Sequence, residues 1–139
     1  MSTKQNKALE HRYLELWRNK GDVNLISEFL TSDFVWHGPG WAEAKGIEGM
    51  KQVLIGFLAS YSDDLQVTVE DMVAEGDMVM YRYTICGTYM GRPAPSGGKK
   101  VTMMGFMQDR FKDGKIAETW ELINMLGFFQ QLGVEPPRR

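Results

Sequence analysis

The sequence predicts an α+β fold in which helices pack on one face of a curved, mostly antiparallel sheet. Two amphipathic helical patterns lie within residues 2–61. From Leu65 onward apolar residues alternate with polar ones, and turn signals at residues 75–77, 91–98 and 113–114 separate the alternating segments. Because each segment follows the last through a short connection, neighbouring strands are expected to pair antiparallel.

Composition limits the classes of function. The 139 residues, 43% of them hydrophobic, fit one domain covering residues 1–139. A formal charge of -2 is too balanced for a surface that binds nucleic acid or anionic membranes, so small molecules or proteins are the expected partners. One cysteine, Cys86, and two histidines offer no metal-ligand spacing, and we expect no metal. The polar N-terminus lacks the apolar core of a signal peptide, which favours the cytoplasm.

Three helical segments are expected before the main sheet. The first runs from a cap at Ser2 or Thr3 to about Lys20, stops at Gly21, and buries Leu9, Tyr13, Leu16 and Trp17. A shorter helix follows around Leu25, Ile26, Phe29 and Leu30. The clearest amphipathic pattern covers residues 47–61, with apolar residues at steps of three and four: Ile47, Met50, Val53, Leu54, Phe57, Leu58 and Tyr61.

The strands are predicted from period-two patterns and from turn residues. The run FVWH at residues 34–37 is expected to form a short strand that sends Trp36 and His37 to opposite faces. Four strands follow, at residues 65–74, 78–89, 100–111 and 115–124. A final short helix around Leu126, Phe128, Phe129 and Leu132 ends at Gly133.

The central strands are apolar on both faces. At residues 78–89, Val79, Tyr81, Tyr83 and Ile85 oppose Met78, Met80, Arg82, Thr84 and Cys86. At residues 100–111, Val101, Met103, Met107 and Phe111 oppose Met104, Phe106, Gln108 and Arg110. Because a meander sheet normally exposes one face to water, we expect helices to cover one face and a second subunit the other, giving a homodimer.

The candidate active site lies on the last strand. The Asp113-Gly114 turn precedes Glu118, Trp120 and Asn124, whose even spacing projects them from one face. A carboxylate among apolar aromatic rings is desolvated, which raises its pKa towards the range useful for proton transfer. The alternative is that Glu118 is a rim carboxylate in a surface ion pair with Arg110 or Arg82.

The other candidate residues are less specific. His37 precedes a Gly-Pro-Gly loop, where its ring either reaches a cavity mouth or bonds loop backbone. A further group of aromatic and methionine residues either lines a hydrophobic pocket or belongs to the ordinary hydrophobic core. These residues are Tyr13, Trp17, Trp41, Met104 and Phe106. Ten methionines favour an adaptable cavity or interface.

Four stretches resemble the SnoaL-like polyketide cyclases, within the nuclear transport factor 2-like fold. They are WHGPG at residues 36–40, VAEGDMVMYRYTICGTYMG at residues 73–91, PSGGKKV at residues 95–101 and RFKDGKIAETWELINMLGFFQQLG at residues 110–133. The resemblance implies a cone of curved sheet, closed by helices around a deep apolar cavity, and usually a dimer. It also implies closure of a polyketide ring by intramolecular aldol condensation without cofactor or metal.

The chain departs from the family pattern at two positions. Asn124 stands where many relatives carry an aspartate, and Tyr89 where they carry a histidine. An amide does not titrate, so if that aspartate is the family's acid/base, either Glu118 takes over the role or the protein is not a cyclase.

Together these observations predict cofactor-free acid/base chemistry on a hydrophobic carbonyl compound. Glu118 and His37 are the catalytic candidates, and the expected substrate-binding residues are Tyr13, Trp17, Trp36, Trp41, Arg82, Tyr89, Met104, Phe106, Gln108, Arg110, Trp120 and Asn124. An isomerase or hydrolase on the same scaffold is a further possibility, since proton abstraction beside a carbonyl needs similar groups. The alternative class is a non-catalytic module that binds a small hydrophobic ligand.

Overall fold

A computed structural model describes residues 2–136 of the chain. The elements in order are α1 (Thr3–Trp17), a 3-10 turn (Val23–Glu28), β1 (Leu30–His37), β2 (Glu43–Lys45), α2 (Gly46–Ala59), β3 (Gln66–Glu75), β4 (Met78–Tyr89), β5 (Lys99–Lys112), β6 (Lys115–Ile123) and α3 (Met125–Leu132). The strands form one curved sheet in the order β2-β1-β6-β5-β4-β3. The predicted α+β class is confirmed.

Local sequence signals set the ends of the outer helices. The Ser2 hydroxyl accepts a hydrogen bond from the Gln5 amide while the Gln5 side chain accepts one from the Ser2 amide, so α1 begins with a capping box. At the other end of the chain α3 stops at Gly133, whose φ of 76° is a left-handed conformation that glycine adopts without a steric penalty. The expected cap at Ser2 and the expected stop at Gly133 are both confirmed.

The meander from β3 to β6 is antiparallel throughout, as predicted. The expectation of one short strand at residues 34–37 was too narrow, because β1 begins at Leu30 and also pairs with the three-residue strand β2. β1 runs parallel to β6, with Trp36 opposite Thr119 and His37 opposite Trp120. This long-range pairing places the first strand of the chain beside the last one.

Two helical predictions need correction. The first helix ends at Trp17 rather than near Lys20, because Asn19 takes a positive φ of 59° that breaks the helix. The segment expected as a second short helix is a 3-10 turn, and its last predicted residue, Leu30, is already the first residue of β1.

The core lies between the helices and one face of the sheet, here called the inner face. Its buried strand residues include Val79, Tyr81, Tyr83 and Ile85 of β4, Val101 and Met103 of β5, and Thr119 of β6, and the partly buried Glu121 of β6 projects from the same face. The opposite, outer face carries Met104 and Phe106, which are 48% and 50% exposed. The predicted division of β4 and β5 into two faces is confirmed. No helix among residues 2–136 is long and apolar enough to cross a membrane.

Candidate functional site

A cavity of about 250 Å³ lies between the helices and the inner face. Most of its wall is apolar, formed by α1, α2, α3 and the inner residues of the sheet: Leu14, Met50, Val53, Phe57, Ile85, Met103 and Phe128. The polar side chains that reach it include Asp109, Thr119 and Glu121, together with several tyrosines. An apolar chamber with few polar groups is the usual form of a small-molecule site.

Glu121 of β6 is a carboxyl group held in place by two donors. The indole Nε1 of Trp36 donates to Glu121 Oε1 at 2.9 Å, and the Tyr83 hydroxyl donates to Oε2. Burial raises the pKa of Glu121, while the two hydrogen bonds oppose that rise. The site therefore presents an oriented carboxyl group of raised proton affinity to an apolar cavity.

Asp109 of β5 is the second carboxyl in the cavity wall. It is 1% exposed, it accepts a hydrogen bond from the Thr119 hydroxyl, and burial raises its pKa. Behind it Glu10 of α1 has no exposed surface, and burial next to Asp109 raises the pKa of Glu10 well above its usual value. The α1–sheet interface therefore buries two carboxyl groups side by side.

The tyrosines of the wall are close to these acids. Burial and the nearby acids, Asp109 among them, raise the pKa of Tyr13 and of Tyr81 well above the ordinary value, so both hydroxyls stay protonated. Among residues 2–136, the buried hydroxyl of Tyr13 has no hydrogen-bond partner. It is therefore an unused donor at the cavity wall.

Glu118 lies on the outer face, and it is not among the residues that line the cavity. Its carboxylate bonds His37 Nε2 at 2.7 Å and Arg110 at 3.3 Å, while the His37 ring stacks on Trp120 with centroids 5.4 Å apart. The hydrogen bond from His37 and the pairing with Arg110 lower the pKa of Glu118. The prediction of a raised pKa for Glu118 is wrong, because the carboxylate is paired and not desolvated among apolar rings. The alternative of an ion pair with Arg110 is confirmed.

The expected substrate-binding residues divide between the two faces. Four of them line the cavity: Tyr13, Trp17, Trp36 and Tyr89. The other eight do not: Trp41, Arg82, Met104, Phe106, Gln108, Arg110, Trp120 and Asn124. Arg82 pairs with Asp71 on the outer face, and Asn124 caps α3 through a bond from the Gly127 amide. The predicted trio Glu118, Trp120 and Asn124 therefore does not surround the cavity.

Sequence reasoning missed Glu121, Asp109 and Glu10. Residues of β6 alternate between faces, so Glu121 shares the inner face with Thr119 and not with Glu118. The signal was an acid on the odd-numbered positions, which carry apolar residues such as Met107 and Phe111 in β5 and Ala117 and Ile123 in β6. In α1 the matching signal was Glu10, one turn before Tyr13 on the buried stripe.

Gly105 of β5 makes room for the ring that holds Glu121. A Cβ at this position would lie 2.5 Å from the Tyr83 hydroxyl oxygen and 2.8 Å from the Leu122 carbonyl oxygen. Gly105→Ala is expected to lower the free energy of unfolding by about 1–3 kcal/mol, because the strand is overpacked and Tyr83 is displaced. Urea unfolding followed by tryptophan fluorescence measures this.

Gly56→Ala is the matched control. A Cβ at Gly56, within α2, meets no atom within 4 Å. This variant is expected to gain up to about 1 kcal/mol, because alanine favours the helix. Equal effects of the two substitutions would contradict the packing argument.

The chain matches one protein family model and several solved structures. The family model described as SnoaL-like polyketide cyclase matches residues 7–132. TsrD from Streptomyces laurentii is 26% identical with a TM-score of 0.83, and the match covers 97% of this chain and 99% of TsrD. AclR, a proposed hydroxylase from Streptomyces galilaeus, is 28% identical with a TM-score of 0.82, covering 99% and 91%.

A third solved structure carries a proposed cyclase activity. IdmH, a proposed polyketide cyclase from Streptomyces antibioticus, is 29% identical with a TM-score of 0.75, and the match covers 94% of this chain and 99% of IdmH. A comparison with curated proteins found no match. The resemblance to these structures extends over nearly the whole chain.

Proposed function

Because the chain belongs to the SnoaL-like polyketide cyclase family, we propose that it closes a ring in a hydrophobic carbonyl compound by acid/base chemistry of the aldol type. The observation that carries this proposal is Glu121, a carboxyl of raised pKa oriented by Trp36 and Tyr83 towards an apolar cavity. A carboxylate of raised proton affinity that faces an apolar cavity is suited to remove a proton from carbon. Glu121 thus takes the role that the sequence suggested for Glu118.

The proton balance needs one carboxyl group. Ionised Glu121 removes a proton from a carbon flanked by carbonyls, which leaves an enolate and a protonated Glu121. The enolate carbon then attacks a second carbonyl of the same molecule, and the new alkoxide takes the proton back from Glu121. Glu121 is regenerated, and no electron sink is needed because the neighbouring carbonyl stabilises the enolate.

The cavity contributes by shaping the substrate. Aromatic walls from Trp17, Trp36, Phe57 and Tyr89 hold a flat molecule, and a folded conformation that brings the two carbons together removes much of the entropic barrier. At about 250 Å³ the cavity is slightly smaller than the usual range for ligand sites, about 300–1,000 Å³. A compound of one or two rings therefore fits better than a larger polycycle.

The test is turnover of a synthetic panel of aryl β-keto esters that carry a second carbonyl within reach for ring closure. Ring closure is followed by absorbance and mass spectrometry with the wild type, Glu121→Gln and Glu118→Gln. Glu118 is the matched control, because it is a glutamate of the same strand on the opposite face. Equal loss in both variants would contradict the assignment of Glu121.

We also propose that a second copy of the chain covers the outer face. Large hydrophobic side chains are exposed there on neighbouring strands: Val73, Met80, Met104, Phe106, Trp120 and Leu122. Such a contiguous patch is rare on the surface of a monomer. Charges of both signs lie on the same face, at Arg82, Arg110 and Glu118, and a two-fold axis can bring opposite signs together.

Light scattering at micromolar concentration is expected to give twice the 15.9 kDa chain mass. Combined Phe106→Glu and Leu122→Glu, at positions paired across β5 and β6, is expected to give the monomer mass, because burying two carboxylates in the interface is costly. Leu25→Glu, at an exposed position of the 3-10 turn, serves as the control and should leave the dimer intact. A monomeric wild type would exclude the interface.

A further inference from the structure

Glu10 of α1 and Asp109 of β5 are two buried carboxyl groups that lie side by side in the interior. Both are almost wholly buried, with 0% and 1% exposure, and they are neighbours, since burial and the charge of Asp109 together raise the pKa of Glu10. Among residues 2–136, neither oxygen of Glu10 nor Oδ2 of Asp109 has a hydrogen-bond partner. Carboxylate oxygens only accept hydrogen bonds, so two ionised groups here could not satisfy each other, whereas a proton on one of them supplies a donor to the other.

No cation compensates this pair. The ion pairs of Lys, Arg and His found within residues 2–136 involve Glu15, Glu118, Glu43 and Asp71, and none of them involves Glu10 or Asp109. Two uncompensated negative charges in the interior would repel each other and lose their hydration. One proton held between the two carboxyls removes one charge and supplies the missing donor.

The Tyr13 hydroxyl is the third group at this place. Tyr13 lies one helical turn after Glu10, it lines the cavity as Asp109 does, and no acceptor among the described residues takes its proton. A buried donor without a partner is costly, so a ligand that brings an acceptor gains the hydrogen bond. The Trp17 ring, which contacts Tyr13 edge-on, lines the same cavity, and this apolar wall favours a ligand whose acceptor is attached to an apolar body.

We propose that Glu10 and Asp109 share one proton and that the Tyr13 hydroxyl beside this acid pair forms a subsite for a carbonyl oxygen of the ligand. The identity of that ligand as a carbonyl compound rests on the proposed function. When Glu121 removes the carbon-bound proton, the oxygen in the subsite gains negative charge. The hydrogen bond from Tyr13 then stabilises that charge, and the shared proton limits the neighbouring acid pair to one negative charge, which reduces the repulsion. The pair keeps its proton throughout, so Glu10 is a positioning residue.

Infrared difference spectroscopy at pH 7 tests the shared proton. The spectrum of wild type minus Glu10→Gln is expected to contain the carbonyl stretch of a protonated carboxylic acid, shifted in D2O. Glutamine has nearly the same shape and donates to Asp109 without a titrating proton. Glu15→Gln, on the exposed side of the same helix, is the control and should lack this band. Absence of the band from the Glu10 difference spectrum overturns the shared proton.

Calorimetric binding of two probes tests the subsite. The probes are 2-acetylnaphthalene, which carries a carbonyl, and 2-ethylnaphthalene, which has a similar shape and no oxygen. Tyr13→Phe is expected to weaken binding of the ketone by about 2- to 10-fold and to leave binding of the hydrocarbon unchanged, the range expected for one hydrogen bond. Equal effects on both probes, or no binding of the ketone to the wild type, overturn the subsite.

Neither the infrared nor the calorimetric measurement needs turnover, so the subsite proposal and the cyclase proposal can be refuted independently of each other. A protein that shows the infrared band and the selective effect of Tyr13→Phe, yet closes no ring, retains the subsite and loses the cyclase proposal. A protein that closes rings without either signal retains the cyclase proposal and loses the subsite.

Discussion

Glu121→Gln is expected to lower the turnover of an accepted β-keto ester by about 100- to 10,000-fold, the usual contribution of a positioned acid/base group. Glutamine keeps the size of the side chain, its amide oxygen can accept from Trp36, and its amide N–H can donate to the Tyr83 hydroxyl oxygen, so the cavity should keep its shape. What the variant loses is the ability to take and return a proton. Binding of the substrate, measured by calorimetry, should change far less than turnover.

Glu118→Gln is expected to leave turnover within about twofold, because in the proposed mechanism the proton is transferred by Glu121 and not by a group on the outer face. The pH profile separates the two glutamates further. Burial raises the pKa of Glu121, so its base form accumulates only as the pH rises, and kcat/KM should rise with pH through that raised value. Turnover by Glu121→Gln equal to that of the wild type would exclude the mechanism.

The fold was largely readable from local patterns. The change of hydrophobic period near Leu65, the Asp113-Gly114 turn and the Gly133 stop each depend on a few neighbouring residues, and each appears in the structure close to where the sequence places it. Periodicity also separated the two faces of β4 and β5 correctly. These features are set by backbone conformation and by alternation of side chains, which a single sequence contains.

The pairing of β1 with β6 could not be predicted from local sequence patterns. It joins residues such as Trp36 and Thr119, which are far apart in the sequence, and no turn or short connection specifies it. The parallel register follows from how the helices and the whole sheet pack. The hydrogen bond from Trp36 to Glu121 depends on this pairing, so half of the candidate site could not be derived from local signals.

The choice of the wrong carboxylate has a simple physical cause. On β6 a shift of one residue exchanges the two faces, and both faces carry a glutamate and an apolar neighbour. The register with β5 decides between them, since Glu121 lies opposite Met107 on the inner face whereas Glu118 lies opposite Arg110. An arginine partner marks the face on which a carboxylate remains charged and paired, and that signal was already present in the sequence.

The free energy of unfolding of the wild type is expected to fall as the pH rises above about 4.5, near the ordinary carboxyl pKa. The pKa of Glu10, Asp109 and Glu121 is raised in the folded protein, so the folded state binds more protons than the unfolded state above that pH. Stability is then lost until the pH passes the raised values. Each unit by which a pKa is raised contributes about 1.4 kcal/mol to this loss.

Glu10→Gln is expected to make stability depend less on pH, because the substitution removes one titrating group and leaves Asp109 with a neutral donor.

Glu118→Gln is expected to change the pH dependence of stability with the opposite sign. The pKa of Glu118 is lowered, so this residue stabilises the fold above the ordinary carboxyl pKa, by less than about 1 kcal/mol for a partly exposed pair, and loses that effect as the pH falls. Urea unfolding at pH 4 to 9 measures all three proteins. A wild type whose stability rises over this range while Glu10→Gln follows it in parallel would contradict the buried acid pair.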